Sequence, residues 1–160
     1  MECNELMKAL GAKLGVGGFE PDESGRYWLS VDDNVVRFAE VGASGLVDAD
    51  AEICRLPEEG REQISRALLT AMAPGGTAEA YCFYFTPDGQ SVCLRRTDAL
   101  DRLDVEGLRT VLENFVNALE EWRDVIGRLA TVAPVVEEAQ ERRTLEERQI
   151  GLGAEGFIRV

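Results

Sequence analysis

The sequence predicts an α+β domain with the element order α-β-β-β-α-β-β-α. Apolar residues recur at helical spacing in three segments and alternate with period two in two blocks, and Gly- or Pro-containing breaks fall between them. A hydrophobic fraction of 45% and a charged fraction of 29% in 160 residues suit one globular core.

The first helix is expected from Cys3 or Asn4 to Leu14, because Leu6, Met7, Leu10 and Leu14 share a face and glycines follow. Gly11 in its interior weakens it by roughly 1 kcal/mol, so the helix needs a partner surface. Tyr27, Leu29 and Val31 then alternate with Trp28, Ser30 and Asp32. An Asp33-Asn34 turn would set Val31 opposite Val36, Leu29 opposite Phe38 and Trp28 opposite Ala39. Trp28 falls on the face opposite Leu29, either under another element or in a binding surface. A third strand, Leu46 to Leu56, points Val47, Ala49, Ala51 and Ile53 inward and Asp48, Asp50 and Glu52 to water.

Pro57 is expected to open the second helix, with Ile64, Ala67, Leu68, Ala71 and Met72 along one side. A hairpin follows, Ala80 to Thr86 and Ser91 to Thr97, in which a turn at Asp88-Gly89 faces Tyr84 with Cys93 and Cys82 with Arg95. Tyr81 to Phe85 is apolar on both faces and calls for cover on both, for which a second subunit is one source. The last helix, capped by Asp104, carries Leu108, Leu112, Phe115, Leu119, Trp122, Ile126 and Leu129 at alternating steps of four and three. That seam is either internal core or a partner surface, and Thr131 to Pro134 is expected to end it. A division follows: a domain over 1–133 and a charged extension over 134–160 that ends in Phe157-Ile158-Arg159-Val160. That tail is a candidate to dock on an apolar groove of its own or a second subunit.

Thirty acids against seventeen bases give a net charge of −13, which disfavours nucleic acid and anionic membrane as partners. From Glu20 to Gly60 the balance is −8, a face that serves solubility or recognises basic polypeptide. No apolar run reaches the ~18 residues of a membrane span, and the acidic start lacks the charge of a signal peptide, so a cytoplasmic protein is expected. With no histidine, Ser-His-Asp and Cys-His catalysis and most zinc sites are excluded. No phosphate-loop lysine motif follows Gly15-Val16-Gly17-Gly18, and Asp48 to Glu52 lacks the glycine and distal glutamate of a calcium loop. Neither a catalytic residue, a metal nor a cofactor is expected. Cys82 and Cys93, as diagonal neighbours, lie beyond disulfide reach, and reduced thiols are expected throughout.

The order of elements resembles the class I type III secretion chaperones, the CesT/Tir-chaperone family, over roughly Leu6 to Leu129. The carrying stretches are Leu6 to Gly11 with Leu14-Gly15, Tyr27 to Asp32, Arg66 to Met72, Ser91 to Arg96 and Leu112 to Trp122. The resemblance implies a sandwich of a twisted antiparallel sheet with helices that forms a homodimer. It also implies that the N-terminal segment of a secreted effector wraps the dimer in extended form and keeps export competence, with the secretion ATPase a further candidate partner. On that reading Ile64, Leu68, Ala71, Tyr81 and Phe83 make the dimer interface. Leu6, Leu10, Leu14, Trp28 and Phe38 line the client grooves. The alternative is a regulatory binding protein of the same fold, an anti-activator partner or YbjN-like domain, acting on a cytosolic protein.

Overall fold

The computed structural model describes residues 2–154 apart from 17, 18 and 79, with side chains described as far as Thr131. Helix α1 spans Cys3–Leu14, and a reciprocal capping box between Glu2 and Glu5 satisfies its first amides. It ends on Gly15 at φ 70°, a left-handed conformation that glycine takes without a Cβ penalty. The partner surface that Gly11 requires is Phe19: a Cβ at Gly11 would sit 2.5 Å from the Phe19 Cβ. Phe19 also packs on Tyr27, with ring centroids 5.5 Å apart, and so ties α1 to the first strand.

Strands β1 (Arg26–Val31), β2 (Asn34–Glu40), β3 (Leu46–Arg55), β4 (Cys82–Phe85) and β5 (Ser91–Ala99) form one antiparallel sheet in the order β1-β2-β3-β5-β4. The β4–β5 register pairs Tyr84 with Cys93 and Cys82 with Arg95, as the turn chemistry requires. The first hairpin differs from expectation by two residues. It turns at Asp32-Asp33, with Asp32 at φ 51°, and pairs Val31 with Asn34, Leu29 with Val36, Tyr27 with Phe38 and Trp28 with Arg37. A slip of two preserves the faces, so alternation alone leaves it undetermined.

Helix α2 is Arg61–Ala71 and does not begin at Pro57. Gly60, at φ 73°, occupies its N-cap, and Leu56 is instead tied to the sheet end through its amide to Gln90. After a 3₁₀ turn, Leu100–Arg102, helix α3 runs from Val105 to Ala154. The Gly107 amide bonds the Asp104 carboxylate at 2.7 Å, so Asp104 is the cap expected. The expected stop at Thr131 to Pro134 is not observed. An interior proline costs a helix about 3 kcal/mol, but the following Glu-, Gln-, Arg- and Ala-rich residues favour helix strongly. The helix therefore crosses the boundary drawn at 133/134. Phe157 to Val160 lie outside the described residues.

One core joins α1, the inner sheet face, α2 and α3. The seam residues Leu108, Leu112, Phe115, Leu119, Trp122 and Ile126 are all buried in it, so that stripe is internal packing. Arg123 pins α3 to the sheet: its Nε donates to the Ile53 carbonyl and its Nη2 to Asn34 Oδ1, each at 2.8 Å. The β3 register shifts between Glu52 and Cys54, and Arg123 satisfies the carbonyl of the residue passed over.

Candidate functional site

The sheet order leaves two edges, β1 and β4. In the first hairpin the two-residue turn makes Val31–Asn34 a hydrogen-bonded pair, so Tyr27, Leu29 and Val31 spend their main-chain groups on β2. Those of Arg26, Trp28 and Ser30 aim away from the sheet. Asp22 occupies the Arg26 pair: its carboxylate accepts the Arg26 amide at 3.0 Å and its own amide donates to the Arg26 carbonyl at 2.7 Å. The outward N–H and C=O of Trp28 and Ser30 remain, with no partner among the described residues.

Trp28 is held as well as exposed. Its indole Nε1 donates to Asp22 Oδ2 at 2.8 Å, while Ser24 donates its amide and hydroxyl to Oδ1 at 2.9 and 2.7 Å. These bonds, the indole's first, hold the Asp22 carboxyl well below the usual carboxylate range. The Arg37 guanidinium lies 5.9 Å from the Trp28 ring centroid, and the residue remains 51% exposed. Val35, 52% exposed, pairs with Ser30 and is thus diagonal to Trp28 on the same face.

From Trp28 a lateral row crosses every strand: Trp28, Arg37, Asp50, Arg95, Cys82. Its centre is not wet as the alternation suggests, since Asp50 is 7% exposed. Asp50 is paired with Arg37, receives the Tyr84 hydroxyl and lies 3.9 Å from Arg95 Nε. Burial, then the bond to Asp50, pushes the Tyr84 phenol up. Asp48 takes the Thr97 hydroxyl at 2.5 Å and Arg95 Nε at 3.7 Å. The acidic stripe of β3 is thus spent on local partners.

The second edge is built differently. The Phe83 amide of β4 is taken by Met72 Sδ at 3.0 Å, just beyond the end of α2. Phe83 packs edge-on against Trp122 at 4.7 Å between centroids. Within this subunit Cys82 on the outer face is exposed, and Phe85, at the end of the inner face beyond buried Phe83, is 41% exposed. The α2 face away from the core presents Leu69 at 66%. Beside it, Arg66, Ala67, Thr70, Trp122, Val125 and Leu129 line an open cleft of about 790 Å³ between α2 and α3.

Of the residues expected in client grooves, Leu6, Leu10 and Phe38 have no exposed surface and belong to the core. They fill the inner face of α1 and β2, where helical and strand periodicity point inward alike. Leu14 and Trp28 stay accessible, on the α1 end and the β1 edge. Of the expected dimer residues, Ile64, Leu68, Ala71 and Phe83 are buried within this subunit, and Tyr81 is half-buried against Phe115. Sequence reasoning passed over Asp22, Ser30, Val35 and Leu69 as surface residues. The Asp22-Glu23-Ser24-Gly25 turn signature was the readable hint to the first.

All four cysteines are free thiols. Among the described residues no group of acids and cysteines could hold a metal ion, and no helix is long and apolar enough to cross a membrane.

The family description that matches the sequence is "Tir chaperone protein (CesT) family", over residues 5–123. Among solved structures, the ExsC-ExsE complex aligns with a TM-score of 0.64 at 18% identity, covering 77% of this chain and 92% of that one. The HopA1-SchA chaperone-effector complex aligns at 0.62 and 13% identity, covering 75% and 91%. The Yersinia pestis type III secretion chaperone SycH, solved with a fragment of YscM2, aligns at 0.58 and 18% identity, covering 72% and 95%. These likenesses establish the fold. Curated protein sequences gave no significant match.

Proposed function

This chain belongs to the Tir chaperone protein (CesT) family, and on that premise we propose that it is a type III secretion chaperone. It binds the N-terminal segment of a secreted effector in extended form, acts in the cytoplasm as a homodimer, and catalyses nothing. The observation that carries this reading is the β1 edge, where Trp28 and Ser30 leave main-chain donors and acceptors unpaired beside an exposed aromatic ring. Added strands gain affinity from such groups and specificity from alternate side chains. A client held this way stays non-globular with no nucleotide site needed in the chaperone.

The client surface in this proposal comprises Trp28, Ser30 and Val35, with Leu14 at its margin. The dimer surface comprises the outer face of α2 around Leu69 and the adjoining β4 edge with Phe85, and residues 134–160 are an appendage to the 1–133 unit. The structurally similar HopA1-SchA pair is a complex of a chaperone with an effector, which supports a polypeptide client.

The test is capture of the full-length chain from its native cytosol, followed by mass spectrometry, solution mass and limited proteolysis. The expected result is two copies of the chain protecting one fragment near the N-terminus of an exported protein. A folded, non-exported protein as the sole partner would overturn the secretion reading and favour the regulatory one.

A further inference from the structure

We infer that Asp22 is a positioning residue that sets both the stretch of β1 open to an incoming client strand and the pose of Trp28. This rests on the chaperone reading above and adds to it the place where pairing starts. An edge strand normally offers every second residue to a newcomer. On β1 those would be Arg26, Trp28 and Ser30, but Asp22 has closed the first of them with a bond to each of its main-chain groups. A client strand can therefore pair only over Trp28 and Ser30. Pairing that extended to Arg26 would have to break the Asp22 loop.

The second oxygen of the same carboxylate fixes the indole. A tryptophan this exposed would ordinarily sample several rotamers, and ordering it on binding would weaken association. Here the ring is ordered beforehand between Asp22 and Arg37, and the client residue pairing beside Trp28 meets a fixed aromatic wall. An aromatic or β-branched client side chain fits that cross-strand position best.

The two jobs separate chemically. In Asp22→Asn the amide oxygen can still accept the Arg26 amide and the Ser24 donors, but its NH₂ cannot accept the indole N–H. Asp22→Ala loses both carboxylate contacts and keeps only the main-chain bond from residue 22 to the Arg26 carbonyl. The probe is the protease-protected client fragment recovered above, titrated against the full-length wild-type and variant chains. The expected result is a loss of affinity of about threefold for Asp22→Asn and about tenfold for Asp22→Ala. In the free protein, acrylamide quenching of the exposed Trp28 should rise in both variants, and the Arg26 amide should lose hydrogen-exchange protection only in Asp22→Ala. Unchanged quenching with an unprotected Arg26 amide in the wild type would overturn the inference without any ligand. Equal affinities for all three chains would overturn it while leaving the chaperone reading intact. Failure of the wild type to bind the fragment would instead sink the chaperone reading, and the inference with it.

Discussion

The two edges of the sheet carry similar backbone and opposite finish. At β1 the unpaired groups are open, a tryptophan is held in place beside them, and a loop carboxylate marks where the opening begins. At β4 one outward amide, that of Phe83, is stopped by Met72 Sδ, the main-chain groups of Phe85 have no partner among the described residues, and apolar surface lies exposed around them, Phe85 on the strand and Leu69 on the helix before it. A longer open run of hydrogen-bonding groups beside a fixed ring suits a strand; an edge partly closed and bordered by apolar surface suits a packed face. The contrast is the ground for proposing the client at one end of the sheet and the second subunit at the other.

The row from Trp28 to Cys82 joins the two ends, and cutting it should have the largest effect. Asp50→Ala leaves Arg37 and the Tyr84 hydroxyl without their shared acceptor and removes a carboxylate 3.9 Å from Arg95 Nε. The loss expected in urea unfolding is about 2–3 kcal/mol, below the ~3–5 kcal/mol of a fully buried pair because both arginines keep contact with water. A change under about 0.5 kcal/mol would show the row to be ornamental to the fold.

Two variants then separate the edges. Ser30→Pro removes an outward amide at a position where an edge tolerates proline, and should weaken client-fragment binding about tenfold with solution mass unchanged. Leu69→Glu places a charge on the apolar helix face and should weaken self-association several-fold while the fragment still binds. If either variant produced the other's phenotype, the assignment of edges would be reversed.

The smallest effect concerns pH. Burial, with Glu40 adding to it, pushes the Cys3 thiol from 9.0 up to about 11, and burial raises Tyr27, Cys54, Cys93 and Tyr84 in the same direction. The folded chain therefore holds these protons more tightly than the unfolded chain. Stability from them is complete below the unfolded thiol pKa and drains away as pH rises toward about 11. Urea midpoints should be flat from pH 7 to about 8.5 and fall steadily above it. A midpoint rising in that alkaline window would contradict the burial of these groups.

Much of this fold was legible from residue order. The α3 seam, the Asp104 cap and the β4–β5 register follow from spacing and turn chemistry that act over a few residues. The first hairpin was misread by two residues because alternation is blind to an even slip, and only the backbone at Asp32 settles it. Gly60 hid the true start of α2 behind a proline and two glutamates that read as a first turn. The candidate site was less legible. Leu6, Leu10 and Phe38 looked available because periodicity marks a face apolar without saying what already covers it. Asp50 looked solvated because its partners come from neighbouring strands. Of the residues expected in client grooves Leu14 and Trp28 stay accessible, and the residue that holds Trp28 is six positions away in a loop.

The most direct measurement of the central claim is amide hydrogen exchange of the full-length chain with and without the captured client fragment. Binding at the β1 edge predicts new protection at Trp28 and Ser30 and none at Phe83 or Phe85. Protection confined to β4, or a bound client that leaves the Trp28 and Ser30 amides exchanging freely, would contradict it.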